Sequence, residues 1–325
     1  MLVSPAEDGP ALQRAHGGDV LPRLLLASDI TALTRRIIDL DVKVGARRAA
    51  RTATRILQEV ERRPRPEGSE ASAALAELFQ VAAWTLFDAE HHAQARLLHR
   101  QALALSRRHA DRAAVESVEL LILSMMSMQE EHLGRPGQAL RISSSVLART
   151  DLPPRVRAIF HVREARAHAR LRRRSPALRS LRQAEELFQD GPGAQDPQWA
   201  WWFDRTELLG HHGLALAALG DPEDAAAFLH EAALPAAGPA YRVLFATELT
   251  RVLARAGAWQ ETEACLSRLA GSVPSIGSAR ALASLSSALR HVERGRSVPR
   301  GLRDTARQVT QLLEHTTEPG QPARL

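Results

Sequence analysis

Leu209-Gly210-His211-His212-Gly213-Leu214-Ala215-Leu216, then Gly220-Asp221-Pro222, then Ala225, Leu229 and Ala232 up to Pro235, is the stretch whose reading decides the fold. Apolar residues spaced three and four apart predict a helix on each side of the Gly-Asp-Pro break, because glycine ends helices and proline opens them. Gly210, Gly213, Ala225 and Ala232 are small where two such helices must cross closely, since bulkier side chains would push them apart.

The same grammar extends in both directions. Breakers recur at Pro64-Arg65-Pro66-Glu67-Gly68, Gly134-Arg135-Pro136-Gly137, Asp151-Leu152-Pro153-Pro154, Gly191-Pro192-Gly193, Ala237-Gly238-Pro239 and Gly271-Ser272-Val273-Pro274. They cut the chain into helical hairpins, and β-branched alternation is nearly absent, so the predicted class is all-α. The hairpin pattern resembles the tetratricopeptide repeat, whose helix-turn-helix signature runs large residue, Leu-Gly, aromatic, then Ala, large residue and Pro. Further copies carry a pair of small residues on the second helix: Ala95 and Ala102 after Phe79, Ala83 and Leu86; Ala139 and Val146 after Leu123 and Ser127; Ala177 and Ala184 after Ala165. A weaker copy runs from Leu249 through Gly257 and Trp259 to Leu266 and Leu269. Equivalent positions Ala95, Ala139, Ala177, Ala225 and Thr262 are 37 to 48 residues apart, longer than the standard repeat of about 34, so an irregular array is expected. The resemblance implies a right-handed superhelical solenoid of antiparallel helix hairpins over residues 72–315. A further hairpin is predicted at 28–64, broken at Gly45 and capped at Ser28-Asp29, with flexible tails at 1–27 and 316–325. Ala279–Val292 and Gly301–Glu314 are expected to cap the far end.

The chain has 325 residues, 45% of them hydrophobic and 25% charged, which excludes wholesale disorder. One cysteine, Cys265, allows no internal disulfide, and no apolar run is long enough for a membrane span. Met1–Gly18 carries acids, prolines and glycines where an export signal needs a basic start and an apolar stretch, so a cytoplasmic location is expected. The net charge of +6 is concentrated. Arg155, Arg157, Arg163, Arg166, Arg170, Arg172, Arg173, Arg174, Arg179 and Arg182 stand against Glu164 alone in their segment, the pattern of one anion-facing patch rather than of a uniformly basic nucleic-acid binder.

Leu78 to Ala89, with Trp84 at its centre, followed by Ala95-Arg96 and Gln101-Ala102-Leu103, resembles the sensor region of large actinobacterial helix-turn-helix transcriptional regulators. So does the preceding hairpin with Leu33, Leu40-Asp41 and Gly45. The resemblance implies a tetratricopeptide-like array that senses a ligand or partner, here expected without the DNA-binding domain. In such arrays the first helix of each repeat lines the inner groove. That assigns to it Glu77, Gln80, Trp84 and Asp88; Ser124, Met128 and Glu131; Ile159, Val162, Arg163, Arg166 and Arg170; Glu207; and Thr247, Arg251 and Arg255. At 100° per residue Arg155, Arg163, Arg166, Arg170 and Arg173 fall within an arc of about 80°. Arginines beside an aromatic and a methionine suit a protein or peptide with an acidic portion. The predicted partner-binding residues are Trp84, Met128, Arg163, Arg166, Arg170, Glu207, Arg251 and Arg255, in a non-enzymatic regulator or adaptor with neither cofactor nor metal.

Two other functions stay open. Arg47, Arg48, Arg51 and Arg55 give the 28–64 hairpin a basic second helix that would serve a DNA-binding regulator, although Asp39 and Asp41 would then face phosphate across the turn. His161, Glu164 and His168 lie on one helical face where an enzyme could hold a metal, or where interhelix hydrogen bonds could form. His91-His92 and His211-His212 read as packing or rim residues. Trp199, Trp202 and Phe203, after an Asp196-Pro197 helix start, read as packing against the preceding repeat, and Trp201 points away as a candidate ligand contact.

Overall fold

A computed structural model describes residues 25–64, 68–107, 112–188, 191, 193–234 and 239–317, the side chains of 112–115 and 316–317 excepted. Among these residues all regular structure is helical: α1 (Ala27–Val44), α2 (Ala46–Glu61), α3 (Ser69–Asp88), α4 (His92–Ser106), α5 (Arg112–His132), α6 (Pro136–Leu147), α7 (Pro154–Arg170), α8 (Arg174–Leu187), α9 (Arg205–Leu219), α10 (Pro222–Ala233), α11 (Val243–Ala256), α12 (Trp259–Ala270), α13 (Ala279–Arg294) and α14 (Arg300–Thr317). Short 3-10 turns occupy Gln198–Trp202, Ala240–Arg242 and Val273–Ser275.

The breakers act as read. Pro136, Pro154 and Pro222 open α6, α7 and α10, where a missing N–H costs nothing. Gly220 takes a left-handed conformation (φ 93°) after α9 and donates its N–H to the Leu216 and Ala217 carbonyls. Pro235 and residues 65–67, 192, 237 and 238 lie outside the described residues, as do most of both predicted tails.

The small residues sit at the crossings. Ala95, Ala102, Ala139, Val146, Ala177, Ala184, Ala225, Ala232 and Thr262 are all buried. A Cβ on Gly210 would lie 2.2 Å from the Phe245 ring, and one on Gly213 would lie 2.7 Å from Leu229 Cγ and 2.9 Å from the Ala225 carbonyl. The two glycines thus let α9 approach α11 on one side and α10 on the other. Each even helix packs on the odd helix before it, and the odd helices pack on one another in series from α1 to α13.

Several local expectations need correction. α1 begins at Ala27, with Asp29 accepting the Leu26 N–H at 3.1 Å from inside the first turn, so Ser28 is no cap. Leu25, placed in the tail, is buried in the core. Asp196 starts no helix: it accepts from Arg155 Nε at 2.7 Å and from the Gly193 N–H at 2.7 Å, while a 3-10 turn begins at Gln198. The last hairpin does more than cap an end. Gly277, just before α13, meets Gly45 between α1 and α2; a Cβ on Gly45 would fall 2.6 Å from Gly277 Cα, and the Arg47 N–H donates to the Gly277 carbonyl at 2.8 Å. Beside it, Ser278 Oγ (3.0 Å) and Arg280 Nε (2.6 Å) both donate to Asp88 Oδ1 at the end of α3. A seam therefore joins the first hairpins to the last.

Candidate functional site

With the seam closed, the inner faces of the odd helices bound a central cavity. Every odd helix contributes to its lining: Asp41 from α1, Trp84 from α3, Met128 from α5, Arg163 and Arg166 from α7, Glu207 and His211 from α9, Phe245 from α11 and Arg280 from α13. The chain has five tryptophans and one tyrosine. Four of those tryptophans (Trp84, Trp199, Trp201, Trp202) and Tyr241 line this cavity. The 3-10 turns after α8 and α10 supply Trp199–Trp202 and Tyr241, filling the inner space left between long helices.

Trp84, Tyr241, Trp199 and Trp202 are each fixed by a neighbour. Trp84 Nε1 donates to Asp41 Oδ2 at 3.1 Å, its ring meets Tyr241 edge-on at 5.9 Å, and the Arg280 guanidinium lies 5.1 Å from its centre. Trp199 Nε1 donates to the Ser117 carbonyl at 2.9 Å. Trp202 lies under the Arg163 guanidinium, 5.6 Å away. Trp201 is 52% exposed and stands at the rim.

The cavity's charges are held out of water. Burial, and after it the charge of Asp88, raises Asp41 to about 7. Burial also raises Glu207 to about 7, against the pull of Arg242. His211 sits between two cations, with Nε2 3.2 Å from Arg163 Nη1 and Nδ1 3.1 Å from Arg166 Nη1. Burial and then those two charges push it well below the usual histidine range, so it is neutral at physiological pH.

Of the eight predicted site residues, Trp84, Met128, Arg163, Arg166 and Glu207 line this cavity. Arg170, Arg251 and Arg255 line a second, adjoining cavity, which shares Arg166, Leu244 and Arg280 with the first. Arg172, His132 and Glu248 also face this second space. Asp88 belongs to the seam instead of the groove, and Ile159, Val162 and Thr247 are buried between helices.

The five-arginine stripe does not form. Arg155 is buried and bonds Asp196 and the carbonyls of Phe203 and Gly191. Arg173 lies beyond the end of α7 and is exposed. The compensating acids absent from α7 come from its neighbours: Glu131 on α5, 3% exposed, accepts from Arg166 Nη2 at 2.8 Å and from Arg170 Nε at 2.6 Å. On α7 itself, Glu164 accepts from Ser144 Oγ and Ser180 Oγ, each at 2.9 Å, tying α6 to α8, and His161 Nδ1 lies 3.6 Å from it. Among the described residues no group of three or more His, Cys, Asp or Glu has metal-holding geometry. Asp41 points into the cavity and not across a DNA-facing turn. His211, read as packing or rim, is a wall of the cavity, while His212 stacks on Phe228 at 4.1 Å. Sequence reading also passed over Arg280, Tyr241 and Phe245. A small signal was available in Gly210, whose missing side chain admits the Phe245 ring.

No helix among the described residues is long and apolar enough to cross a membrane. No family model matches the chain, and no curated protein matches it. Among solved structures, BtubC (BKLC) from P. vanneervenii is similar at 18% identity with a TM-score of 0.41, covering 83% of this chain and 95% of that one.

Proposed function

We propose that the chain is a non-enzymatic regulatory protein, a tetratricopeptide-like right-handed array of antiparallel hairpins, that takes a compact ligand into its central cavity. One observation carries the reading: four of five tryptophans and the single tyrosine line one space with a few convergent polar groups, the composition expected of a small-molecule site. The helices at both ends of the row, α1 and α13, wall the same space, which suits a compact molecule better than a length of extended peptide. By the resemblance to the regulator family, the bound state would be passed to a protein partner in transcriptional or developmental control. The second cavity favours an accompanying role for such a partner. Arg166, Arg170, Arg172, Arg251, Arg255 and Arg280 line it against Glu248, which fits an acidic protein segment.

Native mass spectrometry of the protein purified from its natural host tests the cavity, with Trp202→Ala as comparison. A bound small molecule on the wild type, lost from the variant, is the expected result. Protein that carries no such mass, and whose tryptophan fluorescence is unmoved by the host's small-molecule extract, would overturn the reading. Titration with an oligoglutamate peptide tests the second cavity; affinity unaltered by Arg255→Glu would remove that part.

A further inference from the structure

Among the described residues, Arg163 is the one cation lining the cavity without a direct ion pair; the Glu207 and Glu131 carboxylates act on it only from beyond contact distance. It is 2% exposed, and its Nε has no hydrogen-bond partner. No acid among the described residues forms an ion pair with it. Glu207 on α9 is turned to Arg242, Glu131 is shared by Arg166 and Arg170, and Arg280 is taken by Asp88. The contact with His211 does not make up the deficit. A guanidinium only donates, and a neutral imidazole has one accepting nitrogen, so His211 can satisfy Arg163 or Arg166 but not both. Stacking on Trp202 offsets part of the cost of burial. A buried cation without an anion is otherwise expensive and is usually paired.

We propose that the ligand of this cavity is an aromatic carboxylic acid, its ring among Trp84, Trp202 and Tyr241 and its carboxylate on the Arg163 guanidinium. This rests on the cavity reading above and sharpens it. One cation without a direct ion pair, in a chamber walled largely by aromatic rings, calls for one negative charge; a phosphate dianion would need at least two. The planar fork of a guanidinium also matches a carboxylate in two parallel bonds. At the opposite polarity, Asp41 Oδ1 is buried without a partner, so a ring N–H on the ligand would be accommodated too.

Indole-3-acetate and its neutral isostere indole-3-acetamide, titrated into the full chain by calorimetry, separate the two claims. Amide binding reports the chamber; the ratio between the two reports the anion site. The carboxylate is expected to bind about tenfold or more tightly than the amide, the worth of a charge-assisted hydrogen bond. Arg163→Met should bring the ratio close to one while the amide still binds. If Arg163→Met does not fold, Arg163→Lys, which keeps the charge and loses the fork, should reduce the ratio without abolishing it. Equal affinities for the wild type would overturn this inference and leave the cavity reading intact. Failure of both compounds to bind would overturn the inference together with an aromatic ligand for the chamber.

Discussion

Replacing Arg280 by methionine removes one half of the Asp88–Arg280 pair while keeping most of the side-chain volume. Asp88 is 0% exposed and Arg280 Nε lies 2.6 Å from its Oδ1, so the variant leaves a buried carboxylate with Ser278 Oγ, at 3.0 Å, as its remaining seam donor. Breaking a buried pair from one side costs about 3–5 kcal/mol. The lost stacking of the guanidinium on Trp84 (5.1 Å) and Phe87 (4.7 Å) is partly replaced by methionine's own contacts with the rings. Denaturant melts of the wild type, Arg280→Met, Asp88→Asn and the double variant form a cycle. The double variant should recover about 2 kcal/mol or more relative to the sum of the singles, because the second change removes the charge that the first left stranded. Small-angle scattering should show a larger radius of gyration for each single variant as the seam opens. Costs that add within about 0.5 kcal/mol, with unchanged dimensions, would refute the claim that this pair holds the first and last hairpins together.

Gly213→Ala should destabilise by about 1–3 kcal/mol, since its Cβ would fall 2.7 Å from Leu229 Cγ, whereas Gly137→Ala, with nothing nearer than 3.9 Å, should be neutral in the same thermal melt. Arg166→Glu with Arg170→Glu should lower the melting temperature sharply, because it sets three carboxylates together where Glu131 now holds two guanidiniums; an unchanged melt would refute that arrangement. Glu207, raised to about 7 by burial, holds its proton more tightly folded than unfolded. Its contribution is therefore present at low pH and lost as pH climbs from about 4 to about 7. The melting temperature of Glu207→Gln relative to wild type should accordingly rise between about pH 4 and 7 and level off above it, and a flat or falling difference over that range would show that Glu207 is already ionised.

Helices, breaks and crossings were legible because each depends on residues within one hairpin. Gly210, Gly213 and the paired small residues announce close packing wherever they occur. The inner placement of Trp84, Met128, Arg163, Arg166 and Glu207 was legible for the same reason: helical periodicity fixes which face a residue joins. Closure was not, since Asp88 and Arg280 stand 192 positions apart and neither is unusual in its own helix. The pairing of Glu131 with Arg166 and Arg170 escaped for a related reason. Charge counted along α7 looked uncompensated because its counterions belong to another helix. Tyr241 and Trp202 were hard to place because 3-10 turns aim them, and the helical period does not extend through such turns.

The seam also changes how the molecule can come apart. In an open row of hairpins each unit leans only on its neighbours, so the outermost units are held from one side and fray first. Here Gly45 abuts Gly277 and Arg47 bonds across the join, so each terminal hairpin is braced by the other as well as by its neighbour in sequence. Opening either of these hairpins must release its contact with the other, which couples the first and last described hairpins into one cooperative unit.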